Sequence, residues 1–330
     1  MKAVVFGAGN IGRGFLGQLL FESGIHTTFI DINTSVVDKI NLDKKYPIKI
    51  VTNDTNEEVI VENISAIDGR DKDAVIKCIS ECDSMFTSIG VNILQHIAEN
   101  ISNGIIERKG KGLDIIVCEN MIHANQYLKE LVEKYITIPD NIGFVEVTVG
   151  RVVPMISEEM QEGNILTLVT EPYSILPADK NTFKNEIPKI KNLVLETSFD
   201  YHIQSKLLMS NMGHAVTAYL GMKKNYTYIW EALTDKEIYS VVESAMKSVA
   251  EALSKEHNRS LDEVEAYMND LLNRFQNKIL GDTCERVGRD AKRKLGVNDR
   301  LLGAITLCNK YNIPTDSIKK GVMAALDYLE

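Results

Sequence analysis

Apolar residues follow two alternating rhythms through the first half of the chain. Short runs rich in β-branched residues stand at 2–6 (KAVVF), His26–Ile30, Ile48–Val51, Ser84–Thr87 and Asp114–Val117. They lack polar alternation, as expected of parallel strands buried on both faces. Between them lie segments with helical spacing: 11–23, carrying Ile11, Phe15, Leu19 and Leu20 and closed by Gly24, then 34–42, 71–80, 91–102 and 122–136. Strand and helix in strict alternation predict an open, doubly wound, mostly parallel α/β sheet. Two later runs, 143–153 (GFVEVTVGRVV) and 164–171 (NILTLVTE), also read as strands, but no long helix separates them. They are expected as antiparallel additions to the sheet. Pro172 to Asn185 is rich in breakers and polar residues, which places a domain boundary there and divides the chain into 1–184 and 185–330. Beyond it the pattern is almost purely helical, at 202–222, 227–256, 260–278 and 315–329, so a mainly α-helical C-terminal domain is expected.

Charge and composition narrow the function. The 330 residues suffice for two domains with sizeable cores. With 46 acids against 37 bases the net charge is −9, which argues against nucleic acid or an anionic membrane surface as a partner. No apolar run approaches the roughly 20 residues that span a bilayer. The chain opens directly on MKAVVFGAG, without the leader of a secreted protein, so a cytoplasmic setting is expected. Five scattered cysteines (Cys78, Cys82, Cys118, Cys284, Cys308) make no disulfide framework. Six histidines with no H-x-x-x-H or C-x-x-C pair give no metal site. Without a long exposed apolar helix, the sequence is compatible with a monomer.

Gly7-Ala8-Gly9-Asn10-Ile11-Gly12 forms a G-x-G-x-x-G element. Alone such a string is weak and can be an empty glycine turn. Here it follows the first strand, opens the first helix and precedes an acid, Asp31, by 24 residues, which is the context of a Rossmann dinucleotide site. Gly7 makes the turn, Gly9 lets a pyrophosphate approach, Gly12 lets helix and strand pack, and the helix N-terminus holds phosphate. A carboxylate at Asp31 accepts from ribose hydroxyls and repels a 2′-phosphate, so the expected cofactor is NAD. Ser88 and Gly90, after the fourth strand of that sheet, are expected beside the nicotinamide ribose. Asn120, at the end of the next strand, points to the reacting centre or caps the following helix.

Hydride transfer from an alcohol carbon needs a base for the hydroxyl proton and donors for the developing oxyanion. One constellation offers both: Lys206, Asn211 and His214 in KLLMSNMGH. On an α-helix Asn211 lies about 140° and His214 about 80° round from Lys206, on one side of the cylinder. By itself this strip reads first as a solvated helix face. Residues 286–300 concentrate Arg286, Arg289, Lys292, Arg293, Lys294 and Arg300, either a pocket for an anionic group or an exposed face paired with Glu285, Asp290 and Asp299.

Taken together, FGAGNIGRGF, TFIDIN, CENM, K-x4-N-x2-H and ERVGR…RKL…DRL resemble the polyol-specific long-chain dehydrogenases, across both halves of the chain. The opening loop is nearest the branch that acts on hexitol phosphates. That resemblance implies Lys206 as general base, Asn120 and Asn211 as ligands of the oxygen being oxidised, His214 as their support, and Arg286 and Lys294 as substrate contacts. It also implies metal-independent interconversion of mannitol 1-phosphate and fructose 6-phosphate with NAD, and an anionic sugar or polyol phosphate as the small-molecule partner. Alternatives are an unphosphorylated polyol dehydrogenase, a fructuronate- or tagaturonate-type sugar-acid reductase, and a non-catalytic NAD sensor. Three departures stand out. Gly150 replaces the aspartate of a D-R-I-x-P string, Ile203 and Gln204 stand where an acid usually precedes the lysine, and the chain ends at Glu330, shorter than is usual, as if C-terminal helices were lost.

Overall fold

In the computed structural model, which describes residues 1–329, the chain divides into two compact units, Met1–Phe199 and Asp200–Glu330. The first unit contains all eleven strands: β1 (Lys2–Phe6), β2 (His26–Asp31), β3 (Tyr46–Val51), β4 (Asn56–Val61), β5 (Ile64–Asp68), β6 (Ser84–Thr87), β7 (Leu113–Val117), β8 (Ile142–Glu146), β9 (Leu168–Thr170), β10 (Leu176–Asp179) and β11 (Leu193–Glu196). Its helices are α1 (Gln18–Glu22), α2 (Thr34–Asp43), α3 (Lys72–Glu81), α4 (Leu94–Glu107), α5 (Ala124–Glu133) and the short α6 (Glu158–Gln161). A π-helical turn, Gly12–Gly17, leads into α1.

Six strands make the main sheet in the order β5-β2-β1-β6-β7-β8, every pair parallel. The chain winds outward from β1 through β2 and β5, then restarts at β6 on the other side. The switch point therefore lies between β1 and β6, where ligands bind beyond the carboxyl ends of such strands. Both faces are covered, because successive side chains point to opposite sides of a strand. Ala3, Val5, Phe29, Phe86 and Ile116 enter one core, and Val4, Phe6, Ile30, Met85 and Ile115 the other.

Three expectations are corrected. The 143–153 run is a strand only over Ile142–Glu146, and it joins the sheet parallel to β7 rather than antiparallel. Its continuation leaves that ladder at Val147, which makes a single antiparallel bridge to Ala178 of β10. The 164–171 run contributes only β9, which pairs parallel with β3. The antiparallel ladder is β3–β4, a hairpin in a separate three-stranded sheet β4-β3-β9. The division along the chain falls after Phe199, not at residue 184. The breaker-rich stretch lies inside the first unit: it contains β10, β11 returns parallel to it, and Ile190 and Leu193 pack into the core.

The second unit is helical: α7 (Asp200–Gln204), α8 (Asn211–Lys223), α9 (Ile229–Ala232), α10 (Lys236–His257), α11 (Leu261–Phe275), α12 (Cys284–Gly288), α13 (Ala291–Lys294), α14 (Arg300–Lys310) and α15 (Asp316–Asp327). A second π-helical turn, Ser205–Ser210, joins α7 to α8. The core gathers Met212, Val216 and Tyr219 of α8 with Val242, Met246 and Val249 of α10 and neighbours from α11, α14 and α15. No helix among the described residues is long and apolar enough to cross a membrane.

Candidate active site

The glycine loop leaves β1 at the switch point. Gly7 has φ +98°, a left-handed conformation that favours glycine, and a Cβ there would lie 2.6 Å from the Ser88 carbonyl oxygen. A Cβ on Gly12 would collide with the carbonyl oxygen of Gly7, so helix and strand meet there backbone to backbone. Gly9 is the opposite case: nothing lies within 4 Å of where its Cβ would be. Open space at the middle glycine, next to a helix start, is the cradle a pyrophosphate needs. Arg13 N–H bonds to the Gly9 carbonyl at 3.0 Å, and amides earlier than the first turn of a helix have no partner within it.

The remaining loop residues are braced from within the unit. Ala8 is buried; its N–H donates to Asp31 Oδ2 at 2.7 Å and its carbonyl accepts from Arg13 Nε at 2.6 Å. Asn10 donates through Nδ2 to the carbonyls of Val153 and Pro154, and Ile11 is half-buried beside them. Asp31 ends β2 half-exposed and also accepts from Asn33 N–H at 2.9 Å. Arg13, which sequence reasoning passed over, is 5% exposed and reaches the Leu166 carbonyl at 2.6 Å. Burial lowers its pKa from the ordinary arginine value.

Across the switch point, Ser88 donates to the Phe6 carbonyl at 3.3 Å, and Gly90 turns with φ +90°. The amides of Ile89 and Gly90 donate to the two oxygens of Glu119, at 3.0 and 2.8 Å. Glu119 is buried and ties the loop after β6 to the loop after β7. Asn120 follows it, exposed. It is not a helix cap, because α5 begins only at Ala124 behind His123. At position 150, a Cβ would lie 2.8 Å from Cε1 of Tyr173, so an aromatic ring fills the space that the expected aspartate would need.

In the second unit, Lys206 lies in the π-helical turn and Asn211 closes it with a backbone bond from its N–H to the Lys206 carbonyl. That five-residue bond carries Asn211 round toward Lys206, closer than the α-helical spacing allows. Between Ser205 and Tyr219 every residue is buried except Lys206, Leu207, Asn211 and His214, which are half-exposed. The three polar groups therefore share a narrow accessible strip on an otherwise buried helix. Lys206 Nζ donates to Ser210 Oγ at 3.3 Å. The His214 ring stacks on Phe275, centroids 4.7 Å apart, and its Nε2 lies 3.1 Å from Asp282 Oδ2.

The basic cluster is split. Arg286 is exposed and forms a forked pair with Asp282, through Nε and Nη2 at 2.7 Å each. Arg289 is exposed, while Arg293 and Arg300 both pair with Asp299. Lys294 is 5% exposed, and its amine donates to the carbonyls of Val287 and Arg289. Burial, aided by Arg300 and Arg293, pushes its pKa down to about 8. Those two bonds brace the turn after α12 and use two of the three donors of the ammonium expected to contact substrate.

The comparisons agree with this anatomy. The family model for the mannitol dehydrogenase Rossmann domain matches residues 1–192, and that for the mannitol dehydrogenase C-terminal domain matches 199–330. The chain is 37% identical over 338 residues to the mannitol-1-phosphate 5-dehydrogenase of Buchnera aphidicola subsp. Acyrthosiphon pisum (strain Tuc7), covering 99% of this chain and 86% of that one. It is also 37% identical to the enzyme of the same name from Buchnera aphidicola subsp. Schizaphis graminum (strain Sg), covering 99% and 87%. Among solved structures, the Pseudomonas fluorescens mannitol 2-dehydrogenase ternary complex with NAD and D-mannitol shares the fold with TM-score 0.77 at 16% identity, covering 100% of this chain and 79% of that one. A D-sorbitol dehydrogenase in substrate-free form does so with TM-score 0.80 at 16% identity, covering 99% and 80%. With both of its units matched in sequence order, the chain belongs to the mannitol dehydrogenase family of polyol oxidoreductases.

Proposed function

We propose that this protein interconverts mannitol 1-phosphate and fructose 6-phosphate with NAD. The observation that carries the reading is the half-exposed strip of Lys206, Asn211 and His214 on a helix buried everywhere else between Ser205 and Tyr219 except at Leu207. A solvated face would be broad and charged; this one is narrow and bears one amine, one amide and one imidazole.

NAD, when bound, would supply the hydride acceptor for the carbinol carbon of the polyol. The chain supplies the rest. The amides at the start of the first helix hold the pyrophosphate in the space left at Gly9, and Asp31 accepts from the adenosine ribose hydroxyls. Lys206, as the neutral amine, accepts the hydroxyl proton; in the reverse direction its ammonium returns it. Asn120 and Asn211 donate to the oxygen as it gains negative charge. Arg286 has one edge of its guanidinium spent on Asp282, and its outer edge, Nη1 with the second proton of Nη2, remains for the substrate phosphate.

Turnover of mannitol 1-phosphate, mannitol, fructose 6-phosphate and fructuronate, each with NAD or NADP and followed by NADH or NADPH absorbance, tests this. The phosphorylated pair should be preferred; a preference for fructuronate would assign a sugar-acid reductase instead. The cofactor claim has its own test. Asp31→Asn keeps an acceptor for the Ala8 amide but removes the charge that opposes a 2′-phosphate. The ratio of kcat/KM for NAD over NADP should fall at least about tenfold, since like-charge contacts cost more than the 1.4 kcal/mol that this factor represents. An unchanged ratio would mean that another group sets the preference.

A further inference from the structure

We propose that Asp282 is a positioning residue that fixes the His214 imidazole and the Arg286 guanidinium in one ionic cluster, so that the support of the reacting oxygen and the phosphate contact are set together. The inference rests on the function proposed above and adds a residue to it. Asp282 lies between Gly281 and the N-cap Thr283 of α12, 68 positions along the chain from His214. Its side chain is only 10% exposed, and both oxygens are engaged: Oδ2 with His214 Nε2 at 3.1 Å, and the pair together with Nε and Nη2 of Arg286. Thr283 Oγ1 accepts from the Arg286 amide at 3.2 Å, which fixes the backbone on which the guanidinium rides.

Three physical consequences follow. A carboxylate facing Nε2 demands a proton there, so the neutral ring is the Nε2–H tautomer and presents the lone pair of Nδ1 on its other side. Phe275, stacked at 8° on the imidazole, opposes rotation of the ring out of its plane. Arg286, gripped along its Nε–Nη2 edge, can turn only its Nη1–Nη2 edge outward, the geometry that takes an oxyanion with two parallel bonds. Losing the carboxylate would release both groups, although Asp282 itself touches no substrate. The groups that face the imidazole are mixed in sign. Burial lowers its pKa from 6.5, Asp282 raises it, and Arg286 and Lys206 lower it.

The test is Asp282→Asn in the full chain, with two readouts. The first is independent of activity: 15N-histidine NMR, with the His214 signals assigned by their loss in His214→Gln. Wild-type His214 should be the Nε2–H tautomer with a pKa below 6.5, and in Asp282→Asn the pKa should fall further, because the one raising group has gone. The second is kinetic. Asp282→Asn should lower kcat about tenfold or more and raise KM for mannitol 1-phosphate, leaving KM for NAD unchanged, and Asp282→Glu should restore part of the loss. In a His214→Ala background the kcat effect of Asp282→Asn should largely vanish, as it must if Asp282 acts through the imidazole. A wild-type Nδ1–H tautomer, a His214 titration indifferent to Asp282→Asn, or full additivity with His214→Ala would overturn the inference. Absence of turnover by the wild type on every polyol and polyol phosphate would instead sink the functional reading, and the NMR arm would still decide whether Asp282 fixes the ring.

Discussion

Lys206→Ala is expected to lower kcat about 10²–10⁴-fold, the range for loss of a positioned acid–base group, while NAD binding measured by fluorescence titration changes little. The separation follows from where the groups sit: the dinucleotide cradle is built wholly from the first unit, from Gly7 to Gly12, Asp31 and the Ser88–Gly90 loop, whereas the amine belongs to the second. Lys206→Arg should be nearly as inactive as the alanine variant. A guanidinium stays protonated at any working pH and cannot accept the hydroxyl proton. Lys206→Arg therefore separates base catalysis from simple positive charge. If the arginine variant kept kcat within a few-fold, the lysine would be an electrostatic contact and the base would lie elsewhere. A protein whose role is to sense NAD would lose nothing in either variant.

The cradle was legible in the sequence because everything in it is local or set by one register. Glycines at fixed spacing, the strand before them and the acid after the next strand are all determined within about thirty residues. What escaped was set by distant partners. β3 reads like a main-sheet strand, yet it pairs with β4 and β9, and nothing in YPIKIV says so. The boundary near residue 184 was misplaced because breakers mark any loop, and only the pairing of β11 with β10 shows that this one lies inside a unit. The π-helical turn at Ser205–Ser210 was invisible because the same residues satisfy a four- or a five-residue hydrogen bond. Yet it is this turn that brings Asn211 round toward Lys206. Asp282 did leave a signal, an acid four residues before Arg286, but its bond to His214 spans 68 positions. Lys294 was visible as a charge, and only burial shows that its amine is spent on two carbonyls.

Arg13→Met should cost about 2–5 kcal/mol of stability and lower the melting temperature of the apoprotein by about 5–15 °C. Arg13 is a buried cation that donates to two carbonyls, those of Ala8 and Leu166, each at 2.6 Å, with its guanidinium 5.7 Å from the Tyr46 ring centroid. Tyr46 in turn donates to the Arg13 carbonyl at 2.8 Å, so strand β3 and the π-helical turn hold one another. Methionine fills much of the volume but leaves two buried acceptors without donors, and each such loss is worth about 1–3 kcal/mol. One of those acceptors belongs to Ala8, whose N–H is held by Asp31, so the damage falls on the peptide that shapes the cradle. Stability and cofactor affinity should therefore decline together. Calorimetry with and without NAD reads both, since a ligand that binds only the folded state raises the melting temperature by an amount that grows with the logarithm of its concentration over Kd. In Arg13→Met the apoprotein should melt earlier and the increment from NAD should shrink. Arg13→Lys, with one ammonium for two carbonyls, should fall between the variant and the wild type. An unaltered melting temperature in Arg13→Met would show that water reaches those carbonyls and that the guanidinium is not what holds the loop.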